Sequence, residues 1–130
     1  MSTNSDLVRS LYEAFGRGDV PTVLAALAPK IEWIDAEGFP TAGTYIGPDA
    51  VVNEVFGPLM SDWDGFSVTA NELIDGGDTI VSLGRYAGTF KATGKAMSAD
   101  FAHVWTLRDQ TVVRFRQYVD SPLVQEAMKS

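Results

Sequence analysis

The stretch HVWTLRDQTVVRFRQYVDS, residues 103–121, decides the fold class because it has the pattern of a β-hairpin that runs into a helix. Two runs rich in β-branched and aromatic residues flank Asp109-Gln110, which occupies the place of a two-residue hairpin turn. After the second run, Ser121-Pro122 joins a favoured N-cap residue to a proline suited to the first helical turn. The sequence therefore predicts an antiparallel pair of strands followed by a short C-terminal helix.

The same strand pattern extends upstream of this hairpin. Segments rich in β-branched and aromatic residues cover residues 66–75, 78–90, 95–108 and 111–120. Turn-forming residues separate them at Gly76-Gly77, Ala92-Thr93-Gly94 and Asp109-Gln110. Because short turns join neighbouring antiparallel strands, the second half of the chain is predicted to be a four-stranded antiparallel meander.

Helical patterns begin the chain. Apolar residues recur at four-residue spacing from Leu7 to Phe15, which predicts an amphipathic helix that starts after Ser5 and ends at the following glycines. A second, shorter helix is predicted between an N-cap at Asp19 and a stop at Pro29. The chain is therefore expected to open as a helical hairpin.

A short strand and a third helix are predicted between this hairpin and the meander. Residues 31–35 alternate in polarity, which places Trp33 and Asp35 on one face of a strand. The Gly- and Pro-rich segment that follows is typical of a loop. It leads into a helix from about Pro48, which the Gly-Pro pair at 57–58 ends or kinks.

Helices followed by a long antiparallel sheet predict an α+β fold, in which the curved sheet wraps around the helices like a cone and leaves a pocket between them. The 130 residues contain no repeat or linker, so residues 1–130 are expected to form a single domain.

Composition excludes several classes of function. The net charge of −7 disfavours nucleic acids and anionic membrane surfaces as partners. The absence of cysteine and the presence of one histidine argue against thiol chemistry and a metal site, and no phosphate-binding glycine motif is present. No cofactor is therefore expected. A chain without a long apolar run or a signal-peptide pattern is expected to be cytoplasmic.

The hairpin geometry suggests which residues line the pocket. Counted outward from a two-residue turn, His103 lies opposite Arg116 and Phe101 lies opposite Tyr118. The predicted pocket face then carries Phe101, His103, Trp105, Arg114, Arg116, Tyr118 and Asp120. A slip of one residue would move His103 relative to Tyr118. The opposite, mostly small and apolar face is suited to packing against a second subunit.

The register of the preceding hairpin is open. Its turn near residues 92–94 is ambiguous in length, and one residue decides whether Arg85 faces the pocket or the exterior.

The ordered set of motifs resembles a SnoaL-like member of the nuclear transport factor 2-like superfamily, which includes ketosteroid isomerase and polyketide cyclases. The motifs are IEWID at 31–35, YIGPDAV at 45–51, HVWTLRDQ at 103–110 and FRQYVDS at 115–121. The resemblance covers essentially the whole chain. It implies a conical, cystatin-like α+β roll with a deep apolar pocket, dimerisation through the outer sheet face, and no metal or organic cofactor.

The resemblance also suggests roles for three residues. Asp120 resembles the last-strand aspartate that is the acid/base of polyketide cyclases, and His103 resembles a pocket histidine near it. Asp35 falls roughly where ketosteroid isomerase keeps its proton-shuttling base. Two interpretations of Asp120 stay open, a base whose pKa is raised by burial and a residue that only caps the last helix. Asp35 is either a base or a turn former.

The leading hypothesis is a cofactor-free isomerase, cyclase or dehydratase that acts on an apolar carbonyl compound by acid/base proton transfer. Asp120 or Asp35 would be the base, His103 and Tyr118 would stabilise an enolate, and Arg116 would orient a polar substituent. The expected pocket walls are Trp33, Tyr45, Phe56, Arg85, Phe101 and Trp105. The alternative is a non-catalytic ligand-binding or dimerisation module of the same fold, and a homodimer is expected in either case.

Overall fold

A computed structural model describes residues 3–130 and has the predicted α+β architecture. Its helices are α1 (Thr3–Gly16), α2 (Val20–Ala25), α3 (Pro48–Val51), α4 (Gly57–Asp62) and α5 (Ser121–Met128), and a π-helical turn at Val52–Phe56 joins α3 to α4. Its strands are β1 (Leu27–Asp35), β2 (Gly43–Ile46), β3 (Trp63–Gly76), β4 (Thr79–Phe90), β5 (Lys95–Arg108) and β6 (Thr111–Val119).

The six strands form one curved sheet in the order β2-β1-β6-β5-β4-β3. Strands β3 to β6 make the predicted antiparallel meander. Strand β1 extends the sheet by pairing parallel with β6, so that Trp33 lies beside Phe115. Strand β2 was predicted as loop, because its four residues are mostly exposed and lie in a Gly- and Pro-rich segment. Pro29, the predicted end of the second helix, lies within β1.

The hairpin between β5 and β6 determines which side chains face inward. Asp109 and Gln110 have φ angles of 51° and 59°, which are typical of a two-residue type I′ turn. Arg108 faces Thr111 as predicted, but a β-bulge opposite Thr106 inserts one additional residue into β6. Beyond the bulge the predicted register is wrong by one residue.

The bulge reverses the orientation of most of β6. His103 faces Gln117 across the strands, and Trp105 faces Phe115, so both β6 residues point into the core. Arg116 and Tyr118 instead lie on the outer face, where the guanidinium of Arg116 lies 5.2 Å from the centre of the Tyr118 ring. The two side chains predicted to donate to a substrate from β6 are therefore on the opposite side of the sheet.

The concave face of the sheet packs against the helices through an apolar and aromatic core. Helix α1 buries Val8, Leu11 and Ala14, consistent with the predicted amphipathic pattern. In the sheet, the ring of Trp33 stacks on that of Phe115 with centroids 3.8 Å apart. None of the helices in residues 3–130 is long and apolar enough to cross a membrane.

Candidate functional site

A cavity lies between the helices and the concave sheet face. Its empty space, counted to the opening, is about 530 Å³, and its walls are largely apolar. Its lining residues are Leu11, Tyr12, Phe15, Val23, Trp33, Asp35, Val55, Phe56, Leu59, Phe66, Val68, Tyr86, His103, Trp105, Phe115 and Gln117.

Asp35 is the acidic side chain in this lining. It ends β1 on the inward face, and 4% of its surface is exposed. Trp33 donates its indole N–H to Oδ1 over 3.1 Å, and Thr41 donates its hydroxyl to Oδ2 over 2.7 Å. Burial raises the pKa of Asp35 to about 6, although both hydrogen bonds favour the carboxylate. A carboxyl group in this position exchanges protons near neutral pH.

A chain of hydrogen bonds crosses the cavity wall beside Asp35, centred on His103. Its Nδ1 lies 2.6 Å from the hydroxyl of Tyr12, and its Nε2 lies 2.5 Å from the hydroxyl of Tyr86. The Tyr12 hydroxyl lies 2.5 Å from Ser82 Oγ, which also accepts the indole N–H of Trp105 over 2.9 Å. Helix α1 and strands β4 and β5 thus bring polar groups to one site beside Asp35 of β1.

Gln117 connects this chain to the strand end that carries Asp35. Its Oε1 accepts the backbone N–H of Ala36 over 3.0 Å, and its Nε2 donates to the Tyr86 hydroxyl over 2.8 Å. The Asp35 carboxylate and the phenol of Tyr86 are close enough for the negative charge to contribute to the raised pKa of Tyr86. The acidic group and the hydrogen-bond chain therefore form one site.

The histidine and both phenols in the chain are electrically neutral near pH 7. Burial lowers the pKa of His103 well below its usual range, because desolvation disfavours the imidazolium. Burial likewise raises the pKa of Tyr12 and that of Tyr86 above the usual range. The site therefore offers neutral hydrogen-bond donors and acceptors beside one titratable carboxyl group.

Asp120 fits neither interpretation drawn from the sequence. It is exposed and outside the cavity lining, so the prediction that its side chain faces the pocket as a base is wrong. It occupies the N-cap position of α5, but its side chain makes no capping hydrogen bond. The helix begins at Ser121, one residue earlier than predicted, because Ser121 was the predicted N-cap and Pro122 the predicted first helical residue. Ser121 donates its hydroxyl to the carbonyl of Glu37 over 3.2 Å.

Several other predicted site residues lie outside the lining. Arg85 points to the exterior and pairs there with Asp100 at 3.2 Å, since β4 and β5 align Arg85 with Asp100 and not with Phe101. Tyr45 donates its hydroxyl to the carbonyl of Thr41 over 2.7 Å and does not line the cavity. Phe101 stacks behind His103, with ring centroids 3.9 Å apart. Arg116 and Tyr118 are on the outer face, with 49% of Tyr118 exposed.

The remaining predicted walls, Trp33, Phe56 and Trp105, line the cavity together with Asp35 and His103. Tyr12, Tyr86 and Gln117 were not among the site residues predicted from the sequence. Tyr12 is on the inward face of the predicted first helix, and this position could have indicated it. Whether Tyr86 and Gln117 point into the cavity depends on strand registers that the sequence left open. Within residues 3–130, no three acidic or histidine side chains converge as metal ligands would.

Comparison with known proteins points to one family. A family model described as a SnoaL-like domain matches residues 8–115. An NTF2-like protein from Burkholderia thailandensis E264 is 41% identical over 100% of both chains, with a TM-score of 0.96. One from Burkholderia pseudomallei K96243, of unknown function, is 32% identical over 100% of both chains, with a TM-score of 0.91.

A third similar structure contains a ligand. TerC, co-crystallised with polyporic acid, is 26% identical over 99% of this chain and 100% of its own, with a TM-score of 0.87. The comparison with curated proteins gave no match.

Proposed function

Because the chain belongs to the SnoaL-like family, which includes polyketide cyclases and ketosteroid isomerases, we propose that it binds a planar, mainly apolar carbonyl compound in the cavity. Asp35 removes a proton from the carbon next to the carbonyl group, as in a cofactor-free isomerase, cyclase or dehydratase. The observation that carries this proposal is a buried carboxyl group in the lining of a largely apolar cavity, whose pKa burial raises to about 6.

The environment of Asp35 suits a general base. With a pKa of about 6, the group is about nine-tenths ionised at pH 7 and is still basic enough to accept a proton from carbon. The C–H electron pair then moves toward the carbonyl oxygen, which becomes an enolate, and the protonated Asp35 can return the proton to another carbon. The buried phenols and His103 supply hydrogen-bond donors within the same cavity.

The walls of the cavity support a flat ligand. They include the rings of Trp33, Phe56 and Phe115. Aromatic walls bind planar rings by stacking or by edge contacts. That TerC, 26% identical, was co-crystallised with polyporic acid makes this compound a reasonable second probe.

Deuterium exchange into 2-tetralone, a flat bicyclic ketone with acidic C–H bonds beside the carbonyl, tests the proposal. We expect the wild-type protein to accelerate exchange in D₂O, and Asp35→Asn to lower the rate at least 100-fold, the usual contribution of a general base. Asp35→Asn should still bind 2-tetralone, which a fluorescence titration of the cavity tryptophans would measure. Equal exchange by the two proteins, or no binding of the ketone, would contradict the proposal.

The cavity also supports the alternative of a non-catalytic ligand-binding module. An apolar cavity with so many aromatic walls is compatible with ligand binding alone. In that case the wild type binds 2-tetralone or polyporic acid, but the exchange rate equals that of buffer.

We also propose that the protein forms a homodimer through the outer face of the sheet. Opposite the cavity, Val81 pairs with Val104 and Leu83 pairs with Ala102, and all four are partly exposed. Such an apolar band is suited to burial against its own copy. Light scattering should give twice the chain mass, and Val104→Asp should halve it. A monomeric wild type would contradict the dimer.

A further inference from the structure

The amide of Gln117 fixes the direction of one hydrogen bond in the cavity wall. The backbone N–H of Ala36 can only donate, so the atom of Gln117 that faces it must be the oxygen. The NH₂ group therefore faces the hydroxyl of Tyr86, 2.8 Å away, and must donate to it. One lone pair of the Tyr86 oxygen is thus occupied, and this oxygen keeps its hydrogen and one further lone pair.

A neutral His103 allows two arrangements of the remaining hydrogens. In the first, Tyr86 donates to Nε2, Nδ1–H donates to Tyr12, and Tyr12 donates to Ser82. In the second, every one of these bonds is reversed, so that Nε2–H donates to Tyr86 and Tyr12 donates to Nδ1. The positions of the heavy atoms are compatible with both tautomers.

The two arrangements differ in what they present to the cavity. In the second arrangement, the Tyr86 oxygen accepts from both Gln117 and His103, so its hydrogen is donated to neither of them. Tyr86, His103 and Gln117 all line the cavity, and this hydrogen is then available to an acceptor bound there. In the first arrangement the same hydrogen is engaged by His103.

We propose that the oxygen of a bound carbonyl compound accepts the hydrogen of Tyr86, and that this bond reverses the chain and converts His103 from the Nδ1–H to the Nε2–H tautomer. The inference rests on the proposed function for the class of ligand, and it does not require Asp35 to act as a base. It makes Tyr86 the residue that recognises the carbonyl group, with His103 and Gln117 as its positioning residues.

The single histidine makes the tautomer directly measurable. Two-dimensional ¹H–¹⁵N spectra of the imidazole distinguish the protonated from the unprotonated ring nitrogen, and every signal belongs to His103. We expect 2-tetralone to increase the Nε2–H fraction. Tetralin, the same bicycle without the carbonyl oxygen, is the matched control and should leave the fraction of the free protein unchanged. An equal effect of the two compounds overturns the proposal.

Ser82→Ala tests the chain without any ligand. Ser82 is fully buried and accepts from Tyr12 in the first arrangement only. Its removal leaves the Tyr12 hydrogen without that acceptor, whereas in the second arrangement Tyr12 donates to His103. The free variant should therefore adopt the Nε2–H tautomer. If it keeps the Nδ1–H tautomer, the proposed coupling is absent.

Ser82→Ala should also change the affinity for 2-tetralone. When binding requires one of two states, the apparent affinity is reduced by the fraction of the protein in that state. Ser82→Ala should therefore increase the affinity for 2-tetralone. The expected factor is the inverse of the Nε2–H fraction measured in the free wild type. The affinity for tetralin should not change. A gain shared by both ligands would overturn the proposal.

Tyr86→Phe provides the complementary measurement. Loss of one neutral hydrogen bond should weaken 2-tetralone binding roughly 3- to 10-fold and affect tetralin far less. These outcomes are separate from the proposed chemistry, because the base is tested by deuterium exchange in Asp35→Asn. A tautomer shift with no exchange would retain Tyr86 as the recognition group and refute proton transfer.

Discussion

Asp35 and Asp120 lie at the ends of two neighbouring parallel strands, but only Asp35 faces the cavity. Asp35 is the last residue of β1, a strand in which the alternate side chains of Ile31, Trp33 and Asp35 point inward. Asp120 directly follows β6, in which Phe115 and Gln117 point inward and Arg116 and Tyr118 point outward.

The difference comes from the bulge near the start of β6. Side chains alternate along a strand, so one additional residue transfers all later residues to the other face. Without the bulge, Arg114, Arg116, Tyr118 and Asp120 would share the face of His103, as the turn alone predicts. With it, the neutral amide of Gln117 occupies the place opposite His103. One residue therefore decides which carboxylate and which hydrogen-bonding groups enter the cavity.

Insertion of one alanine between Arg114 and Phe115 should have the largest effect, because it adds a residue to β6 beyond the bulge. If the turn and the bulge are kept, the lengthened strand turns Arg116 and Tyr118 into the apolar core and Phe115 and Gln117 outward. Burying unpaired charges costs several kcal/mol, about as much as the stability of a small domain. We expect the variant to lose its cooperative thermal transition, measured by circular dichroism.

Deletion of Val113 is the matched control for this insertion. It removes the additional residue of the bulge but leaves Leu107 opposite Val112 and Thr106 opposite Arg114, so the variant should retain the transition. An insertion variant that unfolds cooperatively near the wild-type temperature would show that β6 accommodates an added residue without a change of register.

Asp35→Asn should stabilise the protein by an amount that depends on pH. The unfolded carboxyl group ionises near pH 3.8, while the buried one holds its proton to about pH 6. The wild type therefore loses stability as pH rises from about 4 to about 6, by up to about 3 kcal/mol, and the variant does not. Urea unfolding at pH 4 and pH 7 measures the difference between the two proteins.

Asp120→Asn is the control for this comparison. Asp120 is exposed, so its substitution should give no comparable pH-dependent difference from the wild type. If the pH dependence belonged to Asp120 and not to Asp35, the assignment of the two carboxylates would have to be exchanged.

The sequence predicted the fold well because the fold depends on features that a sequence displays directly. Helix periodicity, the N-cap at Asp19 and the Asp109-Gln110 turn are local signals, and each has its predicted structural counterpart. The predicted N-caps Ser5 and Ser121 instead lie inside α1 and α5. The site depends on strand register, which is not local. The bulge has no glycine or proline to indicate it, and the Gln117 bond to Ala36 joins positions that are 81 residues apart. Asp35 and His103 were identified because their strand faces did not depend on that bulge.

The pH dependence of exchange should follow Asp35 alone. A base with a pKa of about 6 must be ionised, so kcat/KM for 2-tetralone should fall about tenfold per pH unit below 6 and level off above it. Asp120→Asn should retain this profile. A profile that continues to rise above pH 7, or one that changes in Asp120→Asn, would contradict the role of Asp35.

The smallest effect is expected for the ionisation of His103. Burial holds its pKa well below the usual range, so its imidazole signals should not titrate between pH 5.5 and pH 8, roughly the range in which an ordinary histidine changes charge. Because the unfolded histidine binds a proton below about pH 6.5 and the folded one does not, His103 lowers stability as pH falls through that value. NMR titration follows these signals directly.

Asp120→Asn should leave the His103 titration unchanged, because Asp120 lies outside the cavity lining and His103 is hydrogen-bonded to two phenols. Asp35→Asn removes a charge beside the same network, so any change in the His103 signals should appear in this variant. A His103 pKa that moves only in Asp120→Asn would place the last-strand aspartate in the site after all. If the His103 signals respond to neither substitution, the hydrogen-bond chain is not electrostatically coupled to Asp35.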